Sequence, residues 1–254
     1  MVKIIPAILV ADFKTLENEA AFVAGQSKLV QLDVCDGQFV PSTCWPYTTA
    51  TNPHHDAHFK KIVTEGDGLP QWQKLDYEID LMVASPTPAV IDDWVTAGAS
   101  RIIVHRESVS DEQLSSIIRH LRKRFASPTD LKEIGVQLGL AVALDTSLDT
   151  LAPYLEDIDS VQIMGIERVG FQSQEFAGER VFDKVRAFHS AHPEIPVSVD
   201  GGVNLGNARA IIEAGASRLI IGSAIFGNHS EPSAEESFSA ASVSAALEKF
   251  KEIL

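Results

Sequence analysis

Short apolar runs recur along the chain. Each is followed by a stretch in which the apolar residues fall three or four apart. The runs predict strands near 2–9, 28–34, 76–83, 101–106, 136–144, 159–166, 195–200 and 218–222. The stretches between them predict helices near 13–24, 54–64, 86–97, 111–125, 147–155, 177–191, 204–214 and 240–253. One junction pattern occurs three times, as Ala24-Gly25-Gln26-Ser27-Lys28, Ala97-Gly98-Ala99-Ser100-Arg101 and Ala214-Gly215-Ala216-Ser217-Arg218. Each copy reads as a helix end, a glycine cap, a basic residue and then a buried strand. Such repetition indicates a repeating αβ unit, and helices alternating with apolar strands indicate a parallel sheet. Eight such units in about 250 residues is the size of a (β/α)8 TIM barrel. We expect one such α/β domain over residues 1–254. A doubly wound open sheet would want a glycine-rich turn after its first strand, and Pro6-Ala7-Ile8-Leu9-Val10-Ala11-Asp12 contains no glycine.

Two stretches break the rhythm. Residues 42–75 form a long connection that contains Cys44-Trp45-Pro46 and several histidines, and residues 227–239, rich in Ser, Glu and Gly, read as a mobile loop. Beyond that loop, Val243, Leu247, Phe250 and Leu254 stand at helical spacing, so the last helix is expected to dock on the barrel wall.

Polar residues at strand ends carry the chemistry. In Val30-Gln31-Leu32-Asp33-Val34-Cys35-Asp36-Gly37, Gln31 and Asp33 share one face of the strand, and the run stops at the turn dipeptide Asp36-Gly37. A carboxylate at the end of an apolar strand is costly to bury and suggests a site. Barrel sites lie at the C-terminal strand ends. Those ends carry Gln31 and Asp33, Asp80, His105 and Glu107, Asp145, Met164, Asp200, and Gly222-Ser223. Asp33, Asp80 and Asp200 are therefore expected to converge on one mouth. There they would repel one another unless a cation sits among them or one of them holds a proton.

Charge narrows the partners. The formal net charge of −14 argues against nucleic acid and anionic membrane surfaces. An anionic small molecule is not excluded, because backbone N–H groups bind phosphate without net positive charge. Two cysteines, Cys35 and Cys44, do not make a disulfide framework. The opening run Val2 to Leu9 reads as a strand rather than a signal peptide, so a cytoplasmic location is expected.

Five motifs together resemble the ribulose-phosphate 3-epimerase family over nearly the whole chain: Pro6-Ala7-Ile8-Leu9-Val10-Ala11-Asp12, Leu32 to Pro41, Asp80-Leu81-Met82-Val83, Val199-Asp200-Gly201-Gly202-Val203 and Gly222-Ser223-Ala224-Ile225-Phe226. The resemblance implies a barrel of the ribulose-phosphate-binding type. It also implies inversion at C3 of a ketose phosphate through a cis-enediolate, with Asp33 and Asp200 as the acid/base pair. Two His and two Asp hold a divalent metal in that family; here Gln31 and Asp80 stand at the histidine positions. The resulting oxygen-rich set, Gln31, Asp33, Asp80 and Asp200, favours Mg²⁺ or Mn²⁺ over Zn²⁺. Met82 and Met164 fall where the family covers the intermediate with methionines, and Cys35 takes the third such place. Ala7 replaces a substrate-contacting serine. The phosphate loop reads Val169-Gly170-Phe171-Gln172-Ser173-Gln174 and keeps Gly170, while Gly201, Gly202, Gly222 and Ser223 form the other half of the phosphate grip. The implied partner is a small sugar phosphate and the implied assembly a homo-oligomer.

Other signals are weaker. His54 and His58 read as a solvated helix start rather than a metal pair, and His105 as a packed or hydrogen-bonded residue. Arg168 reads equally as a contact to an anionic substrate or as a surface residue. Trp45, Trp72 and Trp94 read as packing groups. Barrel decarboxylases and aldol-type synthases carry D-x-K-x-x-D on the third strand, whereas Glu78-Ile79-Asp80-Leu81-Met82 has no lysine. The remaining alternative is a paralogue that binds a sugar phosphate or a partner without epimerising it.

Overall fold

A computed structural model describes residues 2–47, 52–125, 135–170, 174–227 and 239–253. Eight parallel strands close into a barrel in chain order: β1 (Lys3–Ile8), β2 (Leu29–Cys35), β3 (Asp76–Met82), β4 (Ala99–His105), β5 (Gln137–Val142), β6 (Ser160–Met164), β7 (Val197–Asp200) and β8 (Arg218–Ile221). The helices are α1 (Phe13–Val23), α2 (Ala57–Glu65), α3 (Pro88–Thr96), α4 (Asp111–Phe125), α5 (Glu179–Ala191), α6 (Ala208–Glu213), α7 (Ser223–Phe226) and α8 (Ala240–Lys251). The expected fold class is therefore present. Among the described residues, no helix is long and apolar enough to cross a membrane.

Local chemistry explains most boundaries. Asp12 caps α1 by accepting from the Thr15 N–H at 2.9 Å, and Asp56 caps α2 by accepting from His58 and Phe59. The three repeated junctions end their helices at Gly25, Gly98 and Gly215, all left-handed with φ of +87°, +111° and +116°.

Three expected helices differ. The 54–64 helix is a 3₁₀ turn at Pro53–His55 followed by α2, because Asp56 leaves helical geometry to cap. The 147–155 helix is a 3₁₀ helix over Leu148–Tyr154 with Pro153 inside it, where the missing N–H forbids an α-helical bond. The 204–214 helix starts only at Ala208, because the Asn204 and Asn207 side chains bond the preceding backbone. The helical turn α7, directly after β8, was not anticipated.

Alternation along the strands sorts the core. Leu32, Val34, Ile79, Leu81, Ile102 and Val104 face outward and are fully buried under the helices. Val243, Leu247 and Phe250 of α8 join that layer as their spacing required; Leu254 lies outside the described residues, as does most of the 227–239 loop. Trp45, Phe59 and Trp94 form a buried aromatic group, with Phe59 and Trp94 centroids 4.6 Å apart. Trp72 departs from the packing expectation: it is 54% exposed and lies over Gly68.

One irregularity sets the interior. The pairing of β3 with β4 shifts between Tyr77 and Glu78, so Tyr77 faces Ala99 while Glu78 faces Arg101, and Ser100 is the extra residue. Its Oγ donates to the Tyr77 carbonyl at 3.0 Å.

Candidate active site

The site follows from which side chains the strands send inward. Asp80 on β3 lies in register with Asp33 on β2, and Met164 on β6 with Asp200 on β7. Asp33, Asp80 and Asp200 each place a carboxylate oxygen within 4.8 Å of the others. Gln31 Nε2 donates to Asp33 Oδ1 at 2.8 Å and to Asp200 Oδ2 at 2.7 Å. The second bond joins strands that are not neighbours in the barrel, so it crosses the interior. Gln162 Nε2 does the same from β6, donating to Asp200 Oδ2 at 3.0 Å and to Asp80 Oδ2 at 3.2 Å. His105 Nε2 meets Asp80 Oδ1 at 3.0 Å. Apart from Asp33, which is partly open to the pocket, this whole set is buried.

Burying carboxylates together disfavours their charge. Burial, then Asp200 and Asp80, hold the Asp33 carboxyl well above the ordinary carboxylate range, against the pull of the Gln31 amide. Burial and Asp80 push Asp200 up to about 7, while Gln31 and His105 oppose the shift. For His105, burial acts downward, but the Asp80 carboxylate beside it, together with Glu107 and Asp200, raises the imidazole above its usual value. The cluster therefore keeps exchangeable protons near neutral pH.

A pocket of about 60 Å³ opens above it. Ala7, Asp33, Met82, Met164, Gly170, Asp200, Gly201, Gly202, Gly222 and Ser223 all line it, as the sequence suggested, together with Leu9, Ile166, Gln174, Val203 and Ile220. Gln31 and Asp80 do not line it. Each stands two residues before an inward-facing residue that does line it, Asp33 and Met82 respectively. The expected convergence of Asp33, Asp80 and Asp200 is present, with Asp80 joining the cluster from beneath the pocket rather than from its lining. Gln31, expected as a metal ligand, presents its amide nitrogen to both acids, while its Oε1 is buried with no partner among the described residues.

Sequence reasoning missed Gln162. Its only signal was a polar residue inside the apolar run Ser160–Met164. His105 was taken as a hydrogen-bonded group, and that is its role toward Asp80.

The remaining candidates fall elsewhere. Cys35 does not line the pocket; its Sγ lies 3.9 Å from the Met82 Sδ. Asp145 is exposed and pairs with Arg180, and Glu107 accepts from the Ala143 N–H at 2.8 Å. His54 meets Asp93 at 2.8 Å and His58 stacks on Phe13 at 4.5 Å, so they do not act as a pair. Arg168 is exposed and off the pocket, which favours the surface reading. Within the phosphate loop, Phe171, Gln172 and Ser173 lie outside the described residues. Gly170 is held by Ser42, whose hydroxyl donates to its carbonyl.

The donor set fits a divalent cation. Three mutually repelling carboxylates need a compensating charge, and the amide oxygens of Gln31 and Gln162, both unpaired, add neutral oxygen ligands after an amide flip.

Comparison with known proteins follows this geometry. The sequence profile described as the Ribulose-phosphate 3 epimerase family matches residues 3–226. The chain is 31% identical over 235 residues to the ribulose-phosphate 3-epimerase of Bacillus subtilis, covering 89% of this chain and 93% of that one. It is 32% identical over 229 residues to the chloroplastic ribulose-5-phosphate-3-epimerase of Arabidopsis thaliana, covering 87% and 70%. Among solved structures, KGPDC from Streptococcus mutans superposes with a TM-score of 0.64 at 13% identity, covering 100% of this chain and 99% of that one. 3-Hexulose-6-phosphate synthase does so with a TM-score of 0.60 at 17% identity, covering 96% and 99%. These two likenesses show the fold alone.

Proposed function

The chain belongs to the ribulose-phosphate 3-epimerase family, and from that premise we propose that it is an isomerase that inverts C3 of a ketose phosphate. The C3 proton is only weakly acidified by the C2 carbonyl, so a base is needed on one face of the carbon and an acid on the other. In this reading, Asp33 and Asp200 fill those roles. One carboxylate removes the C3 proton, and the electron pair moves into the C2 carbonyl to give a cis-enediolate. The other, already protonated, returns a proton to the opposite face as the carbonyl re-forms. The observation that carries the proposal is that both acids line one pocket, with carboxylate oxygens within 4.8 Å of each other and a shared amide donor.

The other residues position and shield. Gln31 holds the two acids in fixed relation, and Gln162 and His105 do so for Asp80. Met82 and Met164 present apolar, polarizable surface to the intermediate. Gly201, Gly202, Gly222 and Ser223 offer backbone N–H groups and a hydroxyl to the phosphate. Asp33, Asp80 and Asp200, with Gln31, would hold a divalent ion, Mg²⁺ or Mn²⁺ rather than Zn²⁺. When bound, such an ion supplies positive charge to the enediolate oxygens. A single domain, a cytoplasmic location and a homo-oligomeric state complete the proposal.

A second reading, a paralogue that binds without turnover, is favoured by one observation. The pocket, at about 60 Å³, has space for only a few waters. Exchange of the C3 proton of ribulose 5-phosphate into deuterated solvent, with Mg²⁺ or Mn²⁺ added, separates the two. We expect exchange in the wild type and a loss of about 10²–10⁴-fold in Asp33→Asn and in Asp200→Asn, both still folded by circular dichroism. No exchange under any metal would support the second reading instead.

A further inference from the structure

Among the described residues, two carboxylate oxygens inside the barrel take donors from two other strands at once. Near the strand starts, Glu78 Oε2 accepts from the charged guanidinium groups of Arg101 and Arg218. Under the pocket, Asp200 Oδ2 accepts from two neutral amides, Gln31 Nε2 at 2.7 Å and Gln162 Nε2 at 3.0 Å. β2 and β6 stand opposite each other in the ring of eight strands, so these amides reach one oxygen from facing walls.

The three acids are not engaged alike. Asp80 has both oxygens bonded, Oδ1 with His105 Nε2 at 3.0 Å and Oδ2 with Gln162 Nε2 at 3.2 Å. Asp33 is bonded through Oδ1 alone, and Asp200 through Oδ2 alone. Among the described residues nothing bonds Asp33 Oδ2 or Asp200 Oδ1, and neither oxygen is sealed from solvent. Asp33 and Asp200 line the pocket, whereas Asp80 and Gln162 do not.

We infer that Asp33 Oδ2 and Asp200 Oδ1 are the oxygens that exchange the C3 proton, and that Gln162 is the positioning residue that leaves Asp200 Oδ1 free to do so. The inference rests on the epimerase reading above. A carboxyl group turns readily about its last side-chain bond. Donors from facing walls to Oδ2 hold the Asp200 group at one angle. Gln162 ties that angle to Asp80, whose two oxygens are both taken up by the framework. In the reaction the C3–H bond breaks as an O–H bond forms at one free oxygen, and the other free oxygen gives its proton to the opposite face of C3. Gln162 touches no substrate, since it sits two residues before Met164, which lines the pocket as Gln162 does not. Its effect is therefore on the rate of proton transfer and not on binding, because small misplacements of a reacting group cost rate steeply.

Steady-state turnover of ribulose 5-phosphate, with Mg²⁺ or Mn²⁺ added, tests this on the full chain. Gln162→Met fills a similar volume without a donor, and Gln162→His keeps one ring N–H. Circular dichroism checks that each is folded, and the histidine variant carries the test if the methionine variant is not. Gln162→Met is expected to lower kcat by about 10–100-fold and to leave KM within about twofold of the wild type. Gln162→His is expected to retain more of kcat than Gln162→Met. In an Asp200→Asn background either Gln162 substitution should add less than about twofold, because the residue it positions is already disabled. Four results would overturn the inference: an unchanged kcat in both variants, a loss carried by KM, histidine no better than methionine, or an undiminished further loss in the Asp200→Asn background. A wild type that turns over beside insensitive Gln162 variants refutes the positioning role alone. A wild type without turnover refutes the epimerase reading, and the positioning role with it.

Discussion

At one end of the barrel three carboxylates share the amide N–H groups of two glutamines and a histidine; at the other, two guanidinium groups share one carboxylate. Among the described residues no lysine or arginine bonds the upper carboxylates, so their repulsion is held off by protons and neutral donors. Below, opposite charges neutralise one another directly. Like charges forced together make groups that gain and lose protons near neutral pH, which suits chemistry. Opposite charges in contact instead tie together strands that are not neighbours, here β3 and β8.

The largest test of this contrast is at the lower end. Glu78→Gln leaves two buried guanidinium groups side by side without their counter-charge. It should destabilise the chain by about 3–5 kcal/mol in urea unfolding. A loss below about 1 kcal/mol would mean that the lower cluster is solvated and the contrast false. Next comes pH. Because Asp200 titrates near 7 when folded and near 3.8 otherwise, the native state binds more protons between those values. With chelator present, stability should therefore fall as pH rises from about 4 to 7, by roughly 4 kcal/mol at most. Asp80→Asn removes the second-largest cause of that shift and should flatten the slope. An unchanged slope would remove Asp80 from the cluster's electrostatics. The smallest effect concerns backbone at the two ends. Gly202, with φ of +68°, lines the upper pocket, and a Cβ there would lie 2.9 Å from the Phe176 backbone. Gly25, with φ of +87°, has nothing within 4 Å of such a Cβ. Gly202→Ala should cost about 2 kcal/mol and Gly25→Ala about 1 kcal/mol, measured by thermal unfolding. Equal costs would mean that only the left-handed conformation matters at both positions.

The barrel was legible because its signals are local. A glycine in left-handed geometry before each of three strands and a two-residue alternation within strands need no knowledge of the partner strand. Asp200 was legible for the same reason, standing at a strand end beside a turn, and Asp33 because it is a carboxylate in an otherwise apolar strand two residues before its end. Gln162 was not, since a strand's own alternation says which way a side chain points but not which acid waits across the interior. The Glu78, Arg101 and Arg218 cluster escaped for that reason too, its members being scattered over three strands. Asp80 was legible as a neighbour of Asp33 and Asp200 but not as a residue off the pocket lining, because alternation fixes which way a side chain faces and not its depth. The stretch 147–155 was read as an ordinary helix from its apolar spacing alone, and that spacing does not register the N–H that Pro153 lacks.

The extra residue at Ser100 has a reach out of proportion to its size. Every side chain from Arg101 to His105 owes its direction to that one added link, since the pleat reverses with each step. Shortening the strand there would turn it inside out, setting Ile102 and Val104 among the charges and driving Arg101 and His105 against the oily undersides of the helices. A single serine thus keeps both the acidic and the basic ends of the tube correctly furnished.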